Sequence, residues 1–330
     1  MPLDKANNIY FSIVIPARNE SENVRQCLKS ILASNLNAEF EVIFADSSTD
    51  NTPDIVKSLG VRLLENVPGT ISAVRNTGAH VTRGNILVFL DGDIQIPPDL
   101  LEKAKVWFDD GFKGALGFTE RAPDNAGWVA KTWGNRIHQK LDKVVDTGYL
   151  PGRNFFINRS VFEELNGFDE SLKTNEDKDF SLRIRKAGYR VISVPDTQLF
   201  HLGYEKTFTE FIQKEFWRQS SSVKAVQRSR DPIRAMRAPL FSFWHITLLL
   251  SLPISLFFGD RLTIVLLLSG WALPSAIISQ VKLGSNLPYG FTLAFFFLTL
   301  VRWTVAGAAL IKQLVIFLLP KNRRLPTKTN

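Results

Sequence analysis

The chain has 330 residues, a formal net charge of +8 and a single cysteine, Cys27. That length accommodates one large domain or two ordinary ones, and a lone cysteine excludes an intrachain disulfide and a cysteine-rich metal site. The positive charge does not point to nucleic acid, because it is concentrated: from Lys206 to Arg237 eight Lys or Arg stand against three acids, directly before a long apolar tract, where a cytoplasmic polybasic flank belongs. A solvated charged helix is the plain alternative.

Charged residues fill the first two-thirds, whereas Pro239 to Pro320 is dominated by Leu, Phe, Ile, Val, Ala and Trp. This asymmetry predicts a soluble domain followed by a membrane domain. The only apolar run near the N-terminus, Phe11 to Ile15, is too short for a signal-peptide core, so the soluble domain is expected to stay in the cytoplasm.

Phe11 to Pro16 reads as a buried strand stopped by proline, and Asn19-Glu20-Ser21-Glu22 supplies caps for a helix from Glu22 to Ala33. Glu39 to Ala45 gives a second strand ending in the polar loop Asp46 to Thr52, and Pro53 opens a helix that runs to Leu59 and closes at Gly60. A third strand, Val61 to Leu64, precedes a helix over Ile71 to His80, and Ile86 to Leu90 is the fourth strand. Strands alternating with helices at this spacing predict an α/β fold with a mostly parallel sheet. No glycine-rich phosphate loop of either common type is present.

The fourth strand ends abruptly in Asp91-Gly92-Asp93. Five consecutive apolar residues suit a strand buried on both faces, and ligands of open α/β sheets bind outside the carboxyl ends of the strands. Carboxylates two residues apart in extended chain point the same way, and such a pair can hold a hard divalent cation whose shell is shared with phosphates. The alternative for the tripeptide alone is an Asp/Gly hairpin turn.

The strings VIPARNES, FADSSTDNT, SAVRNTGAHVTRGNILVFLDGD and GRNFFINRSVFEELNGFDESLKTNEDKDFSLRIRKAGYRV resemble the successive motifs of family-2 glycosyltransferases with the GT-A fold, covering Phe11 to His201. The resemblance implies an inverting transferase that uses a nucleotide-sugar donor, a UDP-sugar by preference, and a divalent metal, Mg²⁺ or Mn²⁺. Asp46 falls where the family binds the nucleotide base, with Ala17 and Glu20 in the loop beside it. Ala45 replaces the first of two acids common there, which leaves the nucleotide more open. Arg75 lies at a nucleotide or diphosphate contact, Asp91 at the ribose, and Asp93 at the metal. Gly152, Arg153 and Asn154 resemble the donor-sugar loop, for which a simple turn is the alternative.

Thr174 to Asp179 is an acidic cluster opening a helix that runs to Ala187 and stops at Gly188. Acids there are stabilised by the helix dipole, and capping suffices for Asp179. Asp177 matches the family's catalytic base; Glu176 is the alternative base, or binds the acceptor or orients the base. His201, after a strand from Arg190 to Val194 and a loop from Pro195 to Phe200, sits where many relatives place a metal ligand, with a structural histidine as the alternative.

From Thr207 to Gln227 the spacing of Phe208, Phe211, Ile212 and Phe216 predicts an amphipathic helix suited to the membrane interface. Trp217 and Arg218 loosely echo an acceptor motif of membrane-bound relatives, against core packing for Trp217. Leu240 to Phe258 and Leu262 to Val281 are each long enough to span a bilayer, and Gly259-Asp260-Arg261 joins them as a hairpin. Tyr289 to Leu319 is too long for one span and contains Arg302 and Lys312. One crossing would place the basic tail, Lys321 to Lys328, outside, so a helix pair or re-entrant segment is the alternative, and two to four membrane helices are expected.

The domains read as a catalytic domain over 1–205, a basic juxtamembrane segment over 206–238 and a membrane domain over 239–330. The predicted function is transfer of a sugar to a hydroxyl of a lipid-linked glycan at the membrane, in cell-surface polysaccharide or glycolipid synthesis. The alternative is transfer to a polyprenyl phosphate, which needs no base because the acceptor is already ionised. Ile15-Pro16-Ala17-Arg18 also occurs in sugar nucleotidyltransferases, but their following Arg/Leu/Pro/Gly/Lys segment is absent. An inactive scaffold is disfavoured by the intact acids.

Overall fold

The computed structural model describes residues 9–135, 143–172, 174–219, 226, 232–283 and 288–318. These fall into two compact units: one takes the chain up to Asp124 and again from 143 to Tyr204, and the other takes 125–135 and everything described from Glu205 onward.

The first unit is built on one mixed sheet. Strands β1 (Ile9–Ala17), β2 (Glu39–Asp46), β3 (Arg62–Leu64) and β4 (Ile86–Leu90) are separated in sequence by helices α1 (Val24–Leu32), α2 (Thr52–Ser58) and α3 (Ile71–His80). β5 (Ile94–Gln95), α4 (Leu100–Asp109), β6 (Gly114–Arg121), β7 (Val145–Asp146), β8 (Asn154–Asn158), α6 (Arg159–Glu164), α7 (Glu176–Lys186) and β9 (Arg190–His201) complete it. The strand order is β3-β2-β1-β4-β8-β6-β9-β5, with β7 on β9. Pairing is parallel from β3 to β4 and between β6 and β9, while β8 runs antiparallel between β4 and β6, so most of the paired length is parallel.

Burial on both faces explains the unbroken apolar strands. Ile86, Val88 and Leu90 join Ile13, Ile15 and Phe156 on the face covered by Leu28 and Ile31 of α1 and Leu101 of α4. Leu87 and Phe89 join Val14, Phe155 and Ile157 on the other face, beneath Phe162 of α6 and Phe180 of α7. Each residue along β4 thus belongs to the core opposite its neighbour's. The strand expected to stop at Val194 instead continues to His201, because β9 shifts register against β6 between Phe118 and Thr119 and then resumes pairing. That irregularity re-aims the strand across Pro195, and it puts His201 opposite Ile94.

The second unit holds α5 (Trp128–Gly134), α8 (Phe208–Gln219), α9 (Pro232–Phe258), α10 (Arg261–Leu283) and α11 (Tyr289–Leu318). The last three are each long and apolar enough to cross a membrane. The final apolar stretch is one helix of 30 residues, in place of the helix pair or re-entrant segment considered above; the basic tail lies outside the described residues. The amphipathic helix is described from Phe208 to Gln219, and of its expected remainder only 226 is described.

Small and polar residues tie the three long helices together, as is usual where lipid removes the hydrophobic drive. A Cβ at Gly307 would collide with the Ser242 carbonyl. His245, fully buried, donates from Nδ1 to the Phe241 carbonyl at 2.9 Å and meets Ser275 Oγ through Nε2 at 3.0 Å. Outward, Leu250, Ile254, Leu256, Phe257, Leu266 and Ile277 are exposed.

Arg302, the charge that argues against a single helix here, has a partner: its Nε lies 3.2 Å from Glu215 of α8, a carboxylate with 1% exposure. Glu215 also pairs with Arg218 at 2.7 Å, and Arg218 reaches the buried Glu205 at 2.6 Å. Two buried acids are therefore balanced by two partly exposed arginines. Removing one partner of a buried ionic group leaves the others uncompensated, so Glu215→Ala is expected to destabilise the protein by about 3 kcal/mol. Thermal unfolding in detergent checks this, with Gln213→Ala on the exposed side of α8 shifting little.

Candidate active site

The C-terminal edge of the parallel strands gathers the polar groups of the first unit. Ala17 and Asp46 end β1 and β2 as register partners, and the loops that follow are laced together. Asn19 donates its N–H to Ser48 Oγ at 2.7 Å and accepts from the Thr49 N–H at 2.8 Å, while the Glu20 N–H donates to Thr52 Oγ1 at 2.9 Å. Asp46 is 1% exposed; its Oδ2 accepts from the Ser48 N–H at 3.1 Å and its Oδ1 has no partner. A buried carboxylate oxygen left unpaired is costly, and a donor on a ligand would satisfy it. Glu20 lies beside the Asp91-Gly92-Asp93 turn: a Cβ on Gly92 would come within 3.1 Å of Glu20 Cγ and 3.6 Å of Ala17 Cβ.

Arg75 is the hub. Its side chain is 3% exposed, and it donates from Nη1 to Glu176 Oε1 at 2.8 Å and from Nη2 to Asp91 Oδ1 at 3.1 Å. The guanidinium also lies over the Phe168 ring, 5.4 Å from its centroid. Gly152 is packed against this cation so closely that a Cβ there would sit 2.8 Å from the guanidinium carbon. One buried charge thereby joins the end of β4, the loop before β8 and the start of α7. Burial raises the Asp91 carboxyl above the usual aspartate range, against the opposing pull of Arg75.

Asp93 faces His201, with Oδ2 and Nε2 3.0 Å apart. Burial pushes the Asp93 carboxyl up, but the hydrogen bond and charge of His201, with the charge of Arg153, outweigh it and hold the group below the usual range. Asp93 Oδ1 and His201 Nδ1 are buried without partners, and a Cβ at Gly203 would collide with Asp93 Oδ2. A carboxylate with an unpaired oxygen beside an imidazole suits a divalent cation. Among the described residues no group of three His, Cys, Asp or Glu side chains is arranged to hold a metal, so an ion here needs ligand oxygens from elsewhere to complete its shell.

The three residues of the donor-sugar string part company. Arg153 donates from Nε to Glu120 Oε2 at 2.8 Å; burial works against its charge, and Glu120 more than restores it. Asn154, fully buried, donates from Nδ2 to the Phe118 carbonyl at 2.5 Å and accepts from the Phe118 N–H at 3.1 Å, so it stitches β8 to β6. Glu120, Tyr204, Gly203 and Phe168 are absent from the sequence reading. Only tertiary pairing identifies Glu120, since its partner is 33 residues away; Tyr204, its ring 4.2 Å from that of His201, carried no sequence signal.

On α7, Asp177 is half-buried and its Oδ1 accepts from the Lys178 N–H at 2.7 Å. Burial and the charge of Glu176 raise its carboxyl above the ordinary range. Asp179 is tied to Arg183 at 2.7 Å, a structural role. The helix is entered through Asn175 in the left-handed conformation, φ 65°, a strained position of the kind found at functional sites. Trp217 and Arg218 belong to the second unit; Trp217 is 68% exposed, and Arg218 is held by Glu205 and Glu215.

Comparison with known proteins gives a consistent result. Residues 12–166 match the family model described as Glycosyl transferase family 2. The chain is 26% identical over 217 residues to glycosyltransferase AglE of Haloferax volcanii, covering 63% of this chain and 71% of that one. It is 26% identical over 228 residues to the succinoglycan biosynthesis protein ExoA of Rhizobium meliloti, covering 64% and 69%. Among solved structures, the mannosyltransferase PcManGT of Pyrobaculum calidifontis, in complex with GDP-Man and Mn²⁺, superimposes with a TM-score of 0.55 at 20% identity, covering 95% of this chain and 90% of that one. That likeness identifies the fold as GT-A.

Because Gly152 leaves no room beside Arg75, Gly152→Ala must displace the guanidinium and with it Glu176. A shift of this size at a reacting centre typically costs about 10²-fold in rate. Turnover by the variant, with unchanged circular dichroism, checks the expectation.

Proposed function

From the match of residues 12–166 to the glycosyl transferase family 2 model we propose that the chain is a membrane-anchored inverting glycosyltransferase, moving a sugar from a nucleotide donor, a UDP-sugar by preference, to a hydroxyl of a lipid-linked glycan at the cytoplasmic face. The observation that carries this reading is the Arg75 bridge, which sets Asp91 at the donor edge and Glu176 at the head of α7 on one cation. Support for the acceptor and the location comes from three helices long and apolar enough to cross a membrane and from relatives named for glycan synthesis.

In this reading Asp46 and Glu20 receive the nucleoside through the unpaired Asp46 Oδ1, and Asp91 receives the ribose. Arg75 and Arg153 lend positive charge beside the diphosphate. Asp93 with His201 would hold Mg²⁺ or Mn²⁺, which when bound acts as a Lewis acid on the departing diphosphate. The acceptor oxygen attacks the anomeric carbon from the face opposite the diphosphate; the carbon–oxygen bond to the leaving group breaks, and configuration inverts. Asp177 takes the acceptor's proton. Glu176, held by Arg75, raises the carboxyl of that base and so its basicity.

Asp177→Asn is expected to lower transfer by two to four orders of magnitude, about the contribution of a general base, with donor affinity nearly unchanged. Near-normal transfer to a polyprenyl phosphate by this variant would overturn the assignment in favour of an ionised acceptor. The pH dependence follows from the charges: Asp177 must be ionised, and burial with Glu176 raises its carboxyl, so the acidic limb of the rate profile lies above that of an exposed aspartate. Glu176→Gln removes the repulsion and should move that limb to lower pH. Asp93→Ala should abolish the metal dependence of donor binding while the domain stays folded; calorimetric titration of a UDP-sugar with and without Mn²⁺ measures it, and unchanged metal dependence would sink the metal assignment.

A further inference from the structure

The run 125–135 lies in sequence between β6 and β8 of the catalytic unit, yet it folds with the membrane unit. It reads Asn125-Ala126-Gly127-Trp128-Val129-Ala130-Lys131-Thr132-Trp133-Gly134-Asn135, with two tryptophans, one lysine and no acid. Helix α5 buries Val129 and Trp133 among Phe211 of α8, Leu283 of α10, and Phe295 and Leu298 of α11. Trp133 stacks on Phe295 with centroids 5.6 Å apart.

Trp128 and Lys131 are on the exposed side of the same helix. Trp128 is 50% exposed. It stacks on Phe208, 6.3 Å away at 23°, and lies 6.4 Å from Phe297, while Phe208 and Phe297 stack on each other at 5.5 Å. Phe297 ends a stripe on α11: Tyr289, Leu293 and Phe297 follow each other at four-residue spacing, hence on one helix face, and are 84%, 53% and 43% exposed. That face belongs to a helix apolar enough to cross a membrane, and Trp128 extends it sideways without a break.

We propose that α5 is a membrane-contact element, with Trp128 seated at the boundary between headgroups and acyl chains and Lys131 at the lipid phosphates. The indole, apolar with one polar N–H, favours that boundary, and a lysine one turn away keeps its stem in the apolar layer and its ammonium among phosphates. The occupant is a bilayer because the exposed stripe is continuous with the helix face that lipid covers. The chain then meets the membrane twice, at 125–135 and again from α8 onward, on either side in sequence of the segment carrying Gly152 to His201. This rests on the membrane placement of α9 to α11 and is independent of the transferase reading.

The test uses the full chain in phosphatidylcholine and phosphatidylglycerol vesicles, labelled with an environment-sensitive fluorophore at Trp128→Cys or Lys131→Cys. Cys27 is fully buried, and unsubstituted protein serves as the labelling blank. Labels at Leu256→Cys on the exposed face of α9 and at Lys57→Cys on α2 mark lipid and water. Nitroxide lipids are expected to quench positions 128 and 131 several-fold more than position 57, with iodide quenching in the reverse order. Iodide quenching at 128 and 131 with no response to nitroxide lipid, while 256 does respond, overturns the proposal. Self-quenching relieved by dilution with unlabelled protein, again without lipid quenching, overturns it in favour of an interface between copies. If 256 also fails to respond, the membrane placement itself falls. The Lys131→Cys variant leaves the Trp128 stack intact, so a misfolded α5 cannot account for a negative result.

Discussion

The site depends on one buried guanidinium. A guanidinium with 3% exposure must have its charge matched within the protein, and Arg75 is one. Asp91 and Glu176 supply the match from segments 85 residues apart in sequence. Phe168 below and Gly152 beside the cation remove the room in which it could relax. The consequence is geometric: the strand end and the acid-bearing helix share one fixed point, with both carboxylates held on the same cation.

That fixed point is held by the way β4 is buried. A strand with cores on both faces cannot slip by one residue without exchanging the two sets of side chains, and Val88 and Phe89 pack into different cores. The register that places Leu90 opposite Asn154 therefore also fixes where Asp91 and Gly152 emerge. Asn154 reinforces it by bonding both backbone groups of Phe118 on the neighbouring strand. The shift in β9 serves the same edge from the far side, since it delivers His201 to Asp93.

In the second unit small and polar residues hold the long helices together. The long helices meet through a glycine, the hydroxyls of Ser275 and Thr304 and a buried histidine, contacts that remain favourable when lipid is the alternative neighbour. The quartet of Glu205, Glu215, Arg218 and Arg302 joins α8 to α11 and explains how an arginine is tolerated within a long apolar helix.

The sequence by itself determined the alternation of strands and helices through β4, because apolar periodicity is local. The helix Ile71–His80 and the strand Ile86–Leu90 have the expected ends. It also showed the acids at 46, 91, 93, 176 and 177, and the apolar C-terminal third, because these are matters of residue type and order. Tertiary structure alone decided the partners. Nothing local in Glu120 points to Arg153, in Glu215 to Arg302, or in Trp128 to Phe297, because each pairing is set by packing between distant segments. The same holds for β9: the sequence reads as a strand to Val194 and a loop from Pro195 to Phe200, but pairing with β6 and β5 carries the strand to His201. The assignment of 125–135 to the membrane unit is the clearest case, since an eleven-residue run with two tryptophans has no intrinsic address until Phe211, Phe295 and Leu298 provide the apolar surface that buries it.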